Sequence, residues 1–142
     1  MDSNERPLPI DRRDFLKTTA AAGLALGSRS LAAAAGGTND LRVALVGGGN
    51  QGMVLLEACQ KIPNIRITAL CDIWEEYRQK YASGRLRTYG HEHTAYVDIH
   101  DMLDKEKGRL DAAIVATPDF WHAEHAVACL NAGLHVYCEK EM

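Results

Sequence analysis

Leu41-Arg42-Val43-Ala44-Leu45-Val46-Gly47-Gly48-Gly49-Asn50-Gln51-Gly52 is the stretch on which the fold turns. Leu41 to Val46 is a short apolar run with β-branched residues, which reads as a strand buried on both faces. It ends in glycines that fit G-x-G-x-x-G at Gly47, Gly49 and Gly52. From Gln51 to Lys61 the residues Val54, Leu55, Ala58 and Cys59, then Ile62, recur at helical spacing until Pro63-Asn64 stops them. A second strand, Ile65 to Cys71, closes on Asp72, twenty residues beyond Gly52. Strand, glycine loop, helix and acid in this order form the pattern that cradles a dinucleotide. In that pattern Gly47 permits the tight turn, Gly49 lets the backbone approach a pyrophosphate, and Gly52 lets helix and strand pack closely. Free N–H groups at the helix start face the phosphates, with Asn50 and Gln51 contributing. Asp72 can accept both ribose hydroxyls, and its charge repels a 2′-phosphate. NAD is therefore expected over NADP, and Arg78, half a helix away, offers no counter-charge directly after Asp72. The competing reading is a glycine turn that only connects strand to helix, with Asp72 capping a helix at Trp74.

Toward the C-terminus the alternation continues. Trp74 to Tyr81 reads as an amphipathic helix with Trp74, Tyr77 and Tyr81 inward. Ser83 to Thr94 is polar and carries no clear element, and a short strand is expected at Thr94 to Val97. Asp98 can cap a short helix from Ile99 to Leu103. Leu110 to Ala116 is a fourth strand. Trp121 to Asn131 is a helix with Ala126, Val127 and Leu130 on its apolar side, stopped by Gly133. Leu134 to Cys138 is a fifth strand. The spacing implies an α/β doubly wound parallel sheet of the Rossmann type, about five strands in the order 3-2-1-4-5, with ligands at the carboxyl ends.

Toward the N-terminus the character changes at residue 35. A polar start leads to Asp11-Arg12-Arg13-Asp14-Phe15-Leu16-Lys17, then to an alanine-rich stretch from Thr18 to Ser28 and to Ala32 to Ala35. This is the layout of a secretory signal. The paired arginines resemble the twin-arginine export motif, with Asp11 where that motif more often has Ser or Thr. The uncharged stretch is eleven residues and closes at Arg29, against about 20 apolar residues for a membrane span. Residues 1–35 are thus expected to be a twin-arginine signal peptide cleaved after Ala34 or Ala35, and residues 36–142 the folded body. A retained anchor is the alternative. Export implies the twin-arginine machinery as a partner and the periplasm or cell envelope of a bacterium as destination.

The 142 residues suit one domain. Hydrophobic residues are 46% and charged residues 25%, which excludes disordered and collagen-like classes. The leader holds five Lys/Arg against four Asp/Glu and the body eleven against fifteen. A body of net charge −4 lacks the basic face that nucleic acid demands. Cys59, Cys71, Cys129 and Cys138 include no CxxC pair and read as buried thiols.

Three further stretches carry a resemblance: Ala116-Thr117-Pro118-Asp119-Phe120-Trp121-His122, Ala132-Gly133-Leu134-His135-Val136, and Cys138-Glu139-Lys140. With the glycine loop they look like the nucleotide-binding half of the glucose-fructose oxidoreductase, inositol 2-dehydrogenase and MocA-like (Gfo/Idh/MocA) family, over Leu41 to Met142. The resemblance implies that Thr117 and Pro118 run beside the nicotinamide ribose and that His122 lies near the cofactor. It also implies that Glu139 and Lys140 are the first two residues of an E-K-P signature. There the lysine reaches the nicotinamide and a substrate hydroxyl, which makes Lys140 the catalytic candidate. Glu141 stands where the family has proline, and a proline would have fixed φ. Read without the family, Lys140 is equally a solvated lysine at a frayed end. His91-Glu92-His93 is read as a solvated loop and not a metal site, since no third ligand has evident spacing. His125, one turn after His122, is read as ordinary.

The resemblance further implies a C-terminal substrate domain, for which these residues leave no room. The expectation is an NAD(P)-binding domain, truncated at its C-terminal end and inactive alone, from an exported oxidoreductase acting on a sugar or polyol by hydride transfer. Free nicotinamide cofactor is scarce outside the cytoplasm, so tightly held NAD recycled within each turnover is implied. The alternatives are a redox-neutral NAD-dependent glycosidase or lyase of the same broad family, and a non-catalytic nucleotide-binding module. Glu139-Lys140 tilts the choice toward the dehydrogenase-like branch, and a homo-oligomer is compatible with all three.

Overall fold

A computed structural model of the chain describes residues 40–141. The leader assigned to residues 1–35 lies outside the described residues. Five strands form one parallel sheet in the order β3-β2-β1-β4-β5. They are β1 (Leu41–Val46), β2 (Ile65–Cys71), β3 (Thr94–Tyr96), β4 (Ala112–Val115) and β5 (His135–Cys138). The order is the expected one, and β1 and β2 have the expected bounds; the other strands are shorter by a residue or more. The β1–β2 register slips between Val43 and Ala44, so Val43 faces Ile67 and Ala44 faces Ala69.

Successive residues of β1 enter opposite cores, as the pleat requires. Val43 and Leu45 pack with Leu56, Ile67, Leu70, Ala82 and Leu86. Ala44 and Val46 pack with Ala69, Tyr96, Met102, Val115 and Cys129. Helices α1 (Asn50–Cys59) and α2 (Ser83–Thr88) cover the first face, and α3 (Ile99–Lys105) and α4 (His122–Asn131) the second. Asp98 caps α3 by accepting the Asp101 N–H at 2.9 Å.

The inward faces of three helical segments differ from those expected. In α1 the buried residues are Gly52 and Leu56, while Val54 and Ile62, just beyond the helix, are exposed. A Cβ on Gly52 would overlap the Gly47 carbonyl oxygen. That contact sets the helix's rotation, and Val54, two residues on, then points outward. The segment Tyr77–Ala82 is wound as a π-helix leading into α2. It turns Arg78 and Ala82 inward and leaves Trp74 and Tyr81 exposed. Ala82 abuts the glycine loop, since a Cβ on Gly48 would come within 2.9 Å of its own Cβ. In α4 the inward residues are His122, Ala126 and Cys129, at i, i+4 and i+7, and Val127 and Leu130 face out. The region around Ser83, where no element was expected, contains α2.

Residues 91–93 form a loop with Glu92 exposed, as expected, but its two histidines are not freely solvated, which corrects that part of the reading. His91 is buried. β3 pairs with β2 only from Ala69 onward, and His91 Nδ1 meets the Ile67 N–H at 3.3 Å. His93 Nε2 lies 2.9 Å from Ser83 Oγ. All four cysteines carry free thiols; Cys71 and Cys129 are buried, Cys59 and Cys138 half-buried.

Candidate nucleotide site

The carboxyl ends of β2, β1, β4 and β5 are joined in a row. Gly47 N–H donates to the Cys71 carbonyl at 2.8 Å, Ala116 N–H to Val46 at 2.8 Å, and Glu139 N–H to Val115 at 2.9 Å. Gly47 has φ +97°, and a Cβ there would stand 2.6 Å from the Ala116 carbonyl atoms. Both facts demand glycine, because an L side chain is strained at that φ and has no space. The turn thus brings Thr117 against the glycine loop.

Gly49 caps α1 in extended conformation, with no side chain accepting from the helix's first turn and no acidic residue within it. The first intrahelical bond runs from Met53 N–H to the Gly49 carbonyl. The N–H groups of Asn50, Gln51 and Gly52 therefore precede the helical ladder and face outward along its axis. Above Gly49 the space is open: a Cβ there would meet nothing within 4 Å. Donors, a positive helix end and an open approach together fit an anionic diphosphate.

Asp72 stands beside this loop, half-buried. Its Oδ2 accepts the Gly48 N–H at 2.7 Å and its Oδ1 accepts the Trp74 N–H at 2.8 Å. A carboxylate offers about four acceptor sites, so two remain for ribose hydroxyls. Arg78, buried, sends Nη1 to the Asp72 carbonyl at 3.4 Å and Nη2 to Glu75 at 2.8 Å. Its charge is thus spent on the turn that holds Asp72.

At the other end of the site, Gln51 Nε2 donates to Glu139 Oε1 at 3.1 Å, linking the glycine loop to the end of β5. Tyr137 donates to the same oxygen at 3.2 Å. The Gln51 bond first, and then Tyr137 and Lys140, hold the Glu139 carboxyl below its usual range. Thr117 Oγ1 lies 3.1 Å from His125 Nδ1, and His125 stacks on Trp121 with ring centroids 5.5 Å apart. Burial pushes the His125 imidazole down from its ordinary value. His122 is buried between two backbone carbonyls, those of Thr117 and Glu141. Pro118 and Lys140 are exposed, and the Lys140–Glu141 peptide is cis.

The site therefore gathers Gly47, Gly49, Asn50, Gln51, Gly52 and Asp72 at one end, and Thr117, His122 and Glu139 at the other. Sequence reasoning gave Gly48 no role, read His125 as ordinary and did not single out Tyr137. Gly48 was visible as the second glycine of the triple and His125 through its i, i+3 spacing from His122, whereas nothing local marks Tyr137. Among the described residues no cluster of three or more His, Cys, Asp or Glu could hold a metal ion.

Comparison with known proteins agrees with this geometry. The family described as "Oxidoreductase family, NAD-binding Rossmann fold" (GFO_IDH_MocA) matches residues 41–142, and a twin-arginine translocation pathway signal sequence matches residues 9–27. A glycosyl hydrolase family 109 protein of Stenotrophomonas maltophilia is 33% identical over 92% of this chain and 29% of its own length. A probable dehydrogenase from Thermotoga maritima superposes with TM-score 0.58 at 30% identity, covering 70% of this chain and 28% of that one. The WlbA dehydrogenase of Bordetella pertussis, solved with NADH and UDP-GlcNAcA, superposes with TM-score 0.60 at 28% identity, covering 72% and 30%. The chain thus spans under a third of the length of each of these relatives. With a glycine-rich loop between β1 and α1, a 3-2-1-4-5 sheet and a family match over residues 41–142, this twin-arginine-tagged chain belongs to the Gfo/Idh/MocA oxidoreductases with an NAD-binding Rossmann fold.

Proposed function

We propose that the chain is the nucleotide-binding part of an exported, periplasmic oxidoreductase that moves hydride between a sugar or polyol carbon and NAD. The observation that carries this is the open approach over Gly49, flanked by the α1 N-terminus and by Asp72 anchored to Gly48. The loop's N–H groups would hold the diphosphate. Asp72 would take the adenosine ribose hydroxyls, and its charge would reject a 2′-phosphate, with Arg78 committed to Glu75 and the Asp72 carbonyl. Thr117 and Pro118 would flank the nicotinamide half. Lys140, exposed past the end of β5, would orient a substrate hydroxyl and share its proton. The bound dinucleotide supplies hydride acceptance and donation. Because the carrier is exported, NAD would be loaded before transit and recycled within each turnover. The WlbA dehydrogenase, solved in complex with NADH and UDP-GlcNAcA, supports the sugar class.

The test uses the exported protein as its gene encodes it, purified from its native envelope. Denaturation should release NAD in near-stoichiometric amount, identified by mass, and polyols or aldoses should change the cofactor's absorbance. Absence of nucleotide together with no affinity for added NAD would sink this reading.

A second reading is favoured by the family 109 relative, whose alignment takes in nearly the whole chain. In it a carbinol of the substrate would be oxidised by NAD, and the neighbouring glycosidic C–O bond would be eliminated with loss of the aglycone and a proton. Water would add across the double bond so formed, and the carbonyl would be reduced again by the same NADH, with no net change of cofactor. Release of sugar from an aryl glycoside without net NADH formation would select it.

A further inference from the structure

His122 opens α4 with its imidazole 2% exposed, and each ring nitrogen faces a backbone carbonyl. Nε2 lies 2.6 Å from the Thr117 oxygen and Nδ1 lies 2.8 Å from the Glu141 oxygen. A carbonyl oxygen only accepts, so each contact calls for an N–H on the ring. The neutral ring satisfies one, and the doubly protonated ring both. Neither nitrogen is left to reach a ligand.

The two carbonyls belong to segments that meet at the site. Thr117 follows β4, lies against the glycine loop, and is tied to α4 a second time through His125 at 3.1 Å. Glu141 follows Lys140 directly. The Glu139 N–H bonds the Val115 carbonyl, and two residues later His122 returns the chain to the body. Lys140 is thus held between a sheet bond on one side and an imidazole bond on the other, with its own side chain in solvent.

We propose that His122 is a positioning residue, a clasp that fixes the Lys140 backbone against the Thr117-Pro118 turn without touching the dinucleotide. What Lys140 then does rests on the proposed nucleotide site; the clasp itself rests on the ring and the two carbonyls.

Full-length chain, wild type and His122→Phe, is tested with NAD and with ADP-ribose, which lacks the nicotinamide. The variant should bind ADP-ribose within about threefold of wild type, because the glycine loop and Asp72 are intact. The extra affinity of NAD over ADP-ribose should fall about tenfold, the scale of one to two lost hydrogen bonds. In nucleotide-free protein, amide hydrogen exchange should rise at residues 119–121 and at Lys140 and Glu141, with β1 and β4 still protected. His122→Gln retains a donor for one carbonyl and should fall between the two. It also carries the test if the phenylalanine variant does not fold. In wild type, the ring N–H protons should be shielded from solvent in nitrogen-resolved spectra.

Unchanged exchange at Lys140 with NAD affinity lost would mean direct cofactor contact and would overturn the clasp. Exchange raised throughout β1 and β4 would mean a general stabilising role and would overturn it too. Failure of wild-type chain to bind ADP-ribose would refute the nucleotide site alone, with the exchange pattern still deciding the clasp.

Discussion

Asp72 holds the glycine loop by its backbone: Oδ2 receives the Gly48 N–H at 2.7 Å while Oδ1 receives the Trp74 N–H at 2.8 Å. The sequence offered these as alternatives, a ribose acid or a cap for the following turn. One carboxylate does the capping and also grips the loop, because its two oxygens point along different edges. The end of β2 and the start of α1 are therefore set against each other before any ligand arrives.

Asp72→Ala removes both acceptors and any ribose contact. A hydrogen bond to a charged partner is worth about 1.5–3 kcal/mol, so the net loss of one ribose contact should lower NAD affinity by about 10- to 100-fold. The preference for NAD over NADP should narrow, because the repelling charge is gone. Asp72→Asn keeps the size but turns an NH2 toward one of the two N–H donors, and should lose nearly as much. Calorimetric titration with NADH and NADPH reads both quantities, and an unchanged ratio would show that the ribose is recognised elsewhere.

The three motif glycines should separate into stability and binding. At Gly49 φ is −74° and a Cβ meets nothing, so Gly49→Val should melt near wild type yet bind NAD poorly. At Gly52 a methyl would collide with the Gly47 carbonyl, so Gly52→Ala should cost about 1–3 kcal/mol of stability before any ligand is added. Gly47→Ala should be destabilised as well, through its φ of +97° and its contact with Ala116. Thermal melts beside NADH titrations test the division; a Gly49 variant that binds normally would remove the loop from the site.

The sheet order was legible because strand, glycine loop and acid fix β1 and β2 together, and right-handed crossovers then leave few arrangements. The helix faces were less so. Val54 and Leu55 are as apolar as Leu56, and the close approach of Gly52 to the Gly47 carbonyl, a contact made in three dimensions, decides which one turns inward. Arg78 reads as a surface residue by its charge, yet the π-helical turn buries it beside the Asp72 carbonyl. In the site, the motif positions were visible by spacing. The Gln51–Glu139 link spans 88 residues and has no local signature.

Arg42 and Asp111 join β1 to the residue before β4 through Nε at 3.0 Å, Nη2 at 2.8 Å and the Arg42 N–H at 2.8 Å. The guanidinium hydrogen bond, ahead of the opposing effect of burial, holds the Asp111 carboxyl below its ordinary value. A depressed carboxyl stabilises the fold above its unfolded value, near 3.8, and loses that contribution as pH falls further. Both side chains are over a third exposed or close to it. Asp111→Asn should therefore cost only about 1 kcal/mol or less at pH 7. The difference in melting temperature between variant and wild type should shrink as pH drops below about 4, where protonation removes the charge in both. A gap that persisted at low pH would assign the effect to packing.

His91 should impose a pH dependence of the opposite origin. Its Nδ1 accepts the Ile67 N–H at 3.3 Å, and Nε2 lies 2.7 Å from the Gln60 amide. Burial first, then the charges of Arg66 and His93, push the imidazole below its ordinary 6.5. Protonation would set a second N–H against the Ile67 N–H and strand both donors inside the fold. The unfolded chain binds this proton more readily than the folded one, so stability rises with pH up to about 6.5 and falls on acidification below it. His125 is lowered too and adds to the same slope, so the informative quantity is the difference between wild type and His91→Gln. Glutamine can keep an acceptor for Ile67 but does not titrate, and at pH 7.5 it should cost about 1 kcal/mol through imperfect geometry. Between pH 7 and pH 5 wild type should lose stability faster than the variant in urea titrations, and the two curves should converge. Parallel curves over that range would mean that His91 takes up its proton as readily in the folded chain as in the unfolded one, and that the Ile67 N–H does not depend on an unprotonated Nδ1.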